Sequence, residues 1–190
     1  DALDFILQKE LSRLLEALKT VGSFQNLTNR DQDVSRILKI GSDIIGDDGN
    51  CYVIAEIGHN HQGDLDKCKD LFKAAHTCGA DAVKLQKRDN RSLFTQEMYN
   101  SPYNSENAYG RTYGEHREAL EFERDQFLVL IDYAAELGIT FFSTAFDIPS
   151  VDFLAELNMP AYKMASADLY NIPLLKHVAS VGKPLIISTG

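Results

Sequence analysis

Leucine and isoleucine recur every three or four positions at the start of the chain: Leu3, Ile6, Leu7, Leu11, Leu14, Leu15 and Leu18. That spacing predicts a helix over residues 1–22, with Gly22 as its stop. The polar stretch from Ser23 to Asp33 reads as a linker. Two short apolar runs, Ile37-Leu38-Lys39-Ile40 and Ile44-Ile45-Gly46, flank Gly41-Ser42-Asp43 and predict a small β-hairpin. From Cys51 the rhythm changes. Cys51 to Ile57 is a nearly continuous apolar run, as buried parallel strands are. Asp64 can cap a helix with Leu65, Cys68, Leu71, Phe72 and Ala75 on one face, ended by Gly79. Ala82 to Gln86 is the next strand. After a polar and aromatic segment over 88–122, a helix shows Phe127, Leu130, Ile131 and Ala134 on its face and closes at Gly138. A strand over 139–144 follows, then a short helix opened by Pro149 and ended by Asn158. A strand over 161–166, a helix from Pro173 to Gly182 and a strand over 185–188 complete the series.

Four joints share one grammar: Cys78-Gly79-Ala80-Asp81, Leu137-Gly138-Ile139, Leu157-Asn158-Met159-Pro160 and Val181-Gly182-Lys183-Pro184. A helix stops at Gly or Asn, the chain turns, and an apolar strand begins. Such a β/α repeat predicts a parallel sheet. Five strands by themselves suit an open, doubly wound sheet better than a barrel of eight. The first strand–helix turn, Gly58-His59-Asn60-His61-Gln62-Gly63, argues the other way, because it lacks the three-glycine dinucleotide pattern.

With 190 residues, 44% of them apolar, the chain can bury a core. A net charge of −9 argues against a nucleic-acid backbone or an anionic membrane surface as main partner. No run approaches the ~20 apolar residues of a membrane span, and the first ten residues carry no signal-peptide features. Cys51, Cys68 and Cys78 lack metal spacing and read as buried free thiols in a reducing compartment. The chain begins on Asp1 and stops at Gly190 directly after a strand, so a piece truncated at both ends is expected.

Polar side chains collect near the strand ends: Glu56; Lys84 and Gln86; Ser143 and Thr144; Lys163 and Ser166; Ser188 and Thr189. Val83 and Leu85 share a face, which sends Lys84 and Gln86 to the other. Tyr162 and Met164 likewise leave Lys163 opposite. In a β/α barrel the loops at that rim form the mouth. Burying an unpaired cation costs several kcal/mol, and one anionic ligand would compensate both lysines. Lysines with Ser and Thr hydroxyls suit a phosphate or carboxylate. Glu56 reads two ways: a carboxylate that handles a water proton, or a counter-charge to Lys84 or Lys163. His59 and His61 sit two apart in a loop with no third metal ligand nearby, which favours substrate contact or loop structure. His76 and His177 fall on helices as surface or packing residues. In 101–122, the tyrosines with Arg111, His116 and Arg117 suit a polar sugar or phosphate; a surface Ω-loop is the alternative.

Several pieces, taken in order, resemble the sialic acid (N-acetylneuraminate) synthase family. They are Ile54-Ala55-Glu56-Ile57-Gly58-His59-Asn60-His61-Gln62-Gly63-Asp64, Gly79-Ala80-Asp81-Ala82-Val83-Lys84-Leu85-Gln86 and Thr112-Tyr113-Gly114-Glu115-His116-Arg117. Phe142-Ser143-Thr144, Tyr162-Lys163-Met164-Ala165-Ser166-Ala167-Asp168 and Ile187-Ser188-Thr189-Gly190 follow. The likeness runs from about Ile37 to Gly190 and is closer to the animal-type branch than to the pseudaminate branch.

The resemblance implies an α/β fold, a (β/α)8 TIM barrel followed by a small antifreeze-like domain. Residues 1–30 would then be a helical extension and linker. Residues 31–190 would hold the hairpin and the first five β/α units, with the rest of the barrel and the antifreeze-like domain outside the sequence. The implied reaction condenses phosphoenolpyruvate with N-acetylmannosamine or its 6-phosphate, giving a sialic acid and phosphate. Glu56 would be catalytic. Lys84, Thr144, Lys163, Ser166 and Ser188 would bind phosphoenolpyruvate, and Asn60, Gln86 and Asp168 the aminosugar, although the family often has Glu where Asp168 stands. The resemblance also implies a divalent metal, Mn2+ or Mg2+, with ligands outside this chain, and a cytoplasmic homodimer at full length. The alternatives are a legionaminate- or pseudaminate-type synthase, an inactive barrel fragment with a binding or assembly role, and an aldolase using a Schiff-base lysine.

Overall fold

A hairpin opens the described part of the chain, which in this computed structural model is residues 36–190. The helix expected over 1–22, the linker and the boundary at residue 30 lie outside the described residues. Strands β1 (Ile37–Ile40) and β2 (Asp43–Gly46) pair antiparallel around Gly41-Ser42. Then come β3 (Ile54–Gly58), α1 (Leu65–Thr77) and β4 (Ala82–Lys87). The segment after β4 holds three short helices: α2 (Asn90–Leu93), α3 (Gln96–Asn100) and α4 (Tyr113–Glu118). The rest is α5 (Arg124–Leu137), β5 (Thr140–Ala145), α6 (Ile148–Glu156), β6 (Tyr162–Met164), a 3-10 turn over Ser166–Asp168, α7 (Ile172–Ser180) and β7 (Leu185–Ile187).

The five later strands lie in chain order, β3-β4-β5-β6-β7, each parallel to its neighbour. A doubly wound sheet reverses its order at a switch point; this one does not. Of the barrel implied by the resemblance, five of eight strands are expected here, and the described residues hold five parallel strands that do not close. Closure needs the last strand to pair with the first, and among the described residues β7 pairs only with β6. What the described residues form is an open, five-stranded parallel sheet with helices between its strands. No helix among the described residues is long and apolar enough to cross a membrane.

Strand alternation sorts the side chains onto two faces. Val83, Leu85, Phe141, Tyr162 and Met164 meet Cys68 and Phe72 of α1, Phe127 and Leu130 of α5, Val151 and Leu154 of α6, and Leu174 and Leu175 of α7. The opposite face has its own apolar floor, where fully buried Ala82, Phe142 and Ala161 meet Ile40 of the hairpin, flanked by Ile54 and Ile186. Burying a side chain such as Ile40 contributes about 1.5–3 kcal/mol. Asp43 ties the hairpin in place, its Oδ2 accepting from the Tyr52 hydroxyl and the Thr140 hydroxyl, each at 2.7 Å.

Caps explain where the helices begin. The Asp64 carboxylate accepts from Lys67 N–H at 3.0 Å and starts α1. Thr112 and Glu115 form a reciprocal capping box on α4. The 88–122 segment is therefore a folded excursion rather than a bare loop. Of the three thiols, only Cys68 is buried; Cys51 and Cys78 are exposed. They flank elements instead of lining them, which corrects the expectation of three buried thiols.

Candidate active site

Above the apolar floor, toward the C-terminal ends of the strands, the same face turns polar. Glu56 stands beside Lys84 in the β3–β4 register, Gln86 beside Thr144 in β4–β5, and Thr144 beside Lys163 in β5–β6. The Lys84 ammonium is buried, pairs with the Glu56 carboxylate and donates to Thr144 Oγ1 at 2.7 Å. Gln86 Nε2 donates to Glu56 Oε1 at 3.3 Å. Lys163 Nζ donates to Ser188 Oγ at 2.5 Å and to the Met164 carbonyl at 2.6 Å.

Burial lowers the pKa of Lys84, against the raising effect of Glu56. Burial also lowers that of Lys163; Lys84 lowers it further and Glu56 opposes both. Glu56 thus pairs with Lys84, and no ion pair engages Lys163 among the described residues. The cluster has room for an added negative charge.

Other expected site residues are less closely gathered. Asn60 is exposed, and its Nδ2 donates to the Ile57 carbonyl at 2.9 Å. Ser166 is exposed at the start of the 3-10 turn, and neither residue hydrogen bonds to the lysine cluster among the described residues. Asp168 ends that turn half-buried. Burial raises its pKa, opposed by Asn171 and Arg88, and its Oδ2 is buried without a hydrogen-bond partner. Ser143 is fully buried on the helix-facing side, so of that pair only Thr144 meets Lys84.

A second polar cluster, unforeseen from the sequence, joins three segments. Glu121 Oε1 lies 3.2 Å from His59 Nε2, and Oε2 lies 3.4 Å from Lys87 Nζ and accepts from Arg88 N–H at 3.1 Å. Burial raises the Glu121 pKa, but His59, Lys87 and the Arg88 N–H together bring it below the usual carboxylate value. His61 is buried, stacks on Phe122 with ring centroids 4.1 Å apart, and accepts from Gly63 N–H at 3.1 Å. Gly63 has φ +76°, and a Cβ there would run into the Ala119 carbonyl, so glycine alone lets this loop meet the excursion. His59 and His61 thus organise the loop. No group of three or more His, Cys, Asp or Glu side chains among the described residues is placed to hold a metal. His76 is exposed, and His177 faces Asp152 at 2.7 Å between α7 and α6.

Known proteins share this arrangement of sequence. Residues 71–190 match the NeuB family. The chain is 44% identical over 146 residues to the N-acetylneuraminate-9-phosphate synthase of Mus musculus, covering 77% of this chain and 41% of that one. It is 42% identical over 146 residues to the N,N'-diacetyllegionaminic acid synthase of Legionella pneumophila, covering 76% of this chain and 41% of the other. A solved structure of N-acetylneuraminic acid synthetase from Leptospira borgpetersenii superposes with a TM-score of 0.69 at 29% identity, over 82% of this chain and 50% of that one. The chain spans about two fifths of the length of the curated relatives it matches.

Proposed function

The chain belongs to the NeuB family, and from that premise we propose that it carries the phosphoenolpyruvate side of a nonulosonate synthase site. The reaction condenses phosphoenolpyruvate with N-acetylmannosamine or its 6-phosphate and yields a sialic acid and phosphate. The observation that carries this reading is that, of two buried or half-buried lysines on one face, only Lys84 has a carboxylate partner among the described residues. Phosphoenolpyruvate, a carboxylate and a phosphate on one small skeleton, supplies the missing negative charge.

On this proposal Lys84 and Lys163 hold those anionic groups, and the Thr144, Ser166 and Ser188 hydroxyls donate to their oxygens. Asn60, Gln86 and Asp168 bind the aminosugar. The enol carbon attacks the aldehyde carbon of the open-chain sugar, a C–C bond forms, and the aldehyde oxygen takes a proton to become a hydroxyl. Water adds at C2 of the pyruvyl unit and gives up a proton. The tetrahedral intermediate then expels phosphate by C2–O cleavage and leaves the keto group. Glu56 sits beside Lys84 and within reach of water, and handles the proton of that water or of the new hydroxyl. The divalent metal implied by the resemblance has no cluster among the described residues, so its ligands are proposed to lie outside them.

The test is product analysis with the full-length protein, phosphoenolpyruvate, a divalent metal salt and a panel of aldoses. The expected result is one phosphate released per sugar acid formed, with product mass identifying the acceptor. Absence of phosphate release with every aldose overturns the reading.

A further inference from the structure

Arg88 and Arg117 take no part in that scheme, yet both are held at the edge of the site with unused donors. Arg88 follows β4, and its backbone is anchored twice: its N–H donates to Glu121 Oε2 at 3.1 Å, and the next N–H, of Asp89, donates to Asp147 Oδ2 at 2.8 Å. Its guanidinium lies on the Phe146 ring, with Cζ 3.6 Å from the centroid. One arm, Nη2, donates to Gln86 Oε1 at 2.7 Å. The other, Nη1, is buried and has no hydrogen-bond partner. Arg117, from α4, places Nη2 3.5 Å from His59 Nδ1, and its Nε is likewise buried without a partner.

These two cations act on each other. Burial and then Arg117 lower the Arg88 pKa to about 10, with Glu121 and Asp147 opposing, so the side chain stays charged at neutral pH. Among the described residues, no carboxylate forms an ion pair with either guanidinium. Holding two such groups together with buried, unmatched N–H donors is costly unless an anion accepts from them. A planar guanidinium fork matches a phosphate.

The position of this anion follows from the hydrogen-bond chain. Glu56, Gln86 and Arg88 are linked in series, so Arg88 bonds directly to Gln86, a residue assigned above to the aminosugar, and not to either lysine's partner groups. The anionic groups of phosphoenolpyruvate are already matched by Lys84 and Lys163. The added anion therefore sits on the acceptor, at the end remote from its reacting aldehyde. We propose that Arg88, assisted by Arg117, selects an acceptor sugar that carries a phosphate monoester at that end. This inference rests on the synthase reading above.

The test compares kcat/KM for N-acetylmannosamine 6-phosphate and for N-acetylmannosamine in the full-length protein, wild type and R88Q, R88K and R117Q. Wild type is expected to prefer the phosphorylated acceptor by ~100-fold or more. R88Q should reduce that preference ratio by ~10-fold or more, R117Q by less, and R88K should restore part of it. An arginine that merely props up Gln86 lowers both acceptors together, so an unchanged ratio in the variants that fold overturns the proposal. A wild type that favours the unphosphorylated sugar overturns it too, while leaving the synthase reading in place. A protein that turns over neither sugar but releases phosphate with another aldose overturns the proposal alone, and one that releases phosphate with no aldose overturns both.

Discussion

Glu56 and Lys84 are register neighbours on β3 and β4, and they form an ion pair with unequal surroundings: the Glu56 side chain is 50% exposed and that of Lys84 only 8%. Lys84 also keeps the Thr144 hydroxyl. The two roles open to Glu56 from sequence are therefore compatible in space. It offsets a buried cation, and its exposed half can meet water.

Glu56→Gln separates those roles. The amide oxygen still accepts from Lys84, so the cation keeps two partners and the expected stability loss stays below about 2 kcal/mol. The amide cannot take a proton, so turnover should fall by roughly 10²–10⁴-fold. Binding of phosphoenolpyruvate should hold or tighten, because a negative charge beside an anion is removed. Single-turnover rates and thermal melting of the same variant provide the check. A large stability loss with near-normal turnover per folded molecule would remove Glu56 from the reaction.

Lys163 has a hydroxyl and a carbonyl as partners and no ion pair among the described residues. Replacing it with Met takes a cation from the place proposed for an anionic ligand. The expected cost is roughly 2–5 kcal/mol in binding or transition-state energy, a fall of about 30-fold or more in kcat/KM. Because no carboxylate is orphaned, melting should change little. Unaltered kinetics in Lys163→Met would place its charge outside the chemistry.

Alternation along β4 makes the faces of Lys84 and Gln86 legible, because Val83 and Leu85, which alternate with them, are apolar. On β5 the same reasoning could not separate Ser143 from Thr144. Every residue from Phe141 to Ala145 is buried, and only the register with β4 assigns the hydroxyls. Lys87 lies one residue past the strand end at Gln86 that the sequence pattern predicts, and its partner Glu121 lies 34 residues further on. Helices α2, α3 and α4 are four to six residues long, too short to show a period. Their caps Asp89, Thr95 and Thr112 were the available signal. The buried donors of Arg88 and Arg117 depend on long-range packing that no local pattern encodes.

The sheet itself predicts how residues 1–190 behave when expressed alone. Among the described residues β3 and β7 each have a single paired neighbour, and Ile54 and Ile186 on the inner face are only partly covered. Unpaired edges beside apolar surface favour pairing between chains. Light scattering should show self-association, and phosphate-release assays should show no sugar acid. A monomer that melts cooperatively and makes product would contradict this.

His61 sets a pH dependence of stability in its own window. It is 1% exposed, stacked on Phe122, and its Nδ1 accepts from Gly63. Burial, with His59 adding, pushes its pKa down to about 4, against the opposite pull of Glu121 and Asp64. In the unfolded chain the ring titrates near 6.5. Between those values the unfolded state binds the extra proton, so stability rises with pH. The contribution is fully present above about pH 6.5 and is lost as pH falls toward about 4. From pH 7 to pH 5 the expected loss is about 2 kcal/mol. His61→Phe keeps the stack but loses the Gly63 acceptor, at a pH-independent cost of about 1 kcal/mol. Urea denaturation midpoints of the full-length protein at the two pH values should therefore converge in the variant and differ in wild type. The same slope in both proteins would assign the titration to another group.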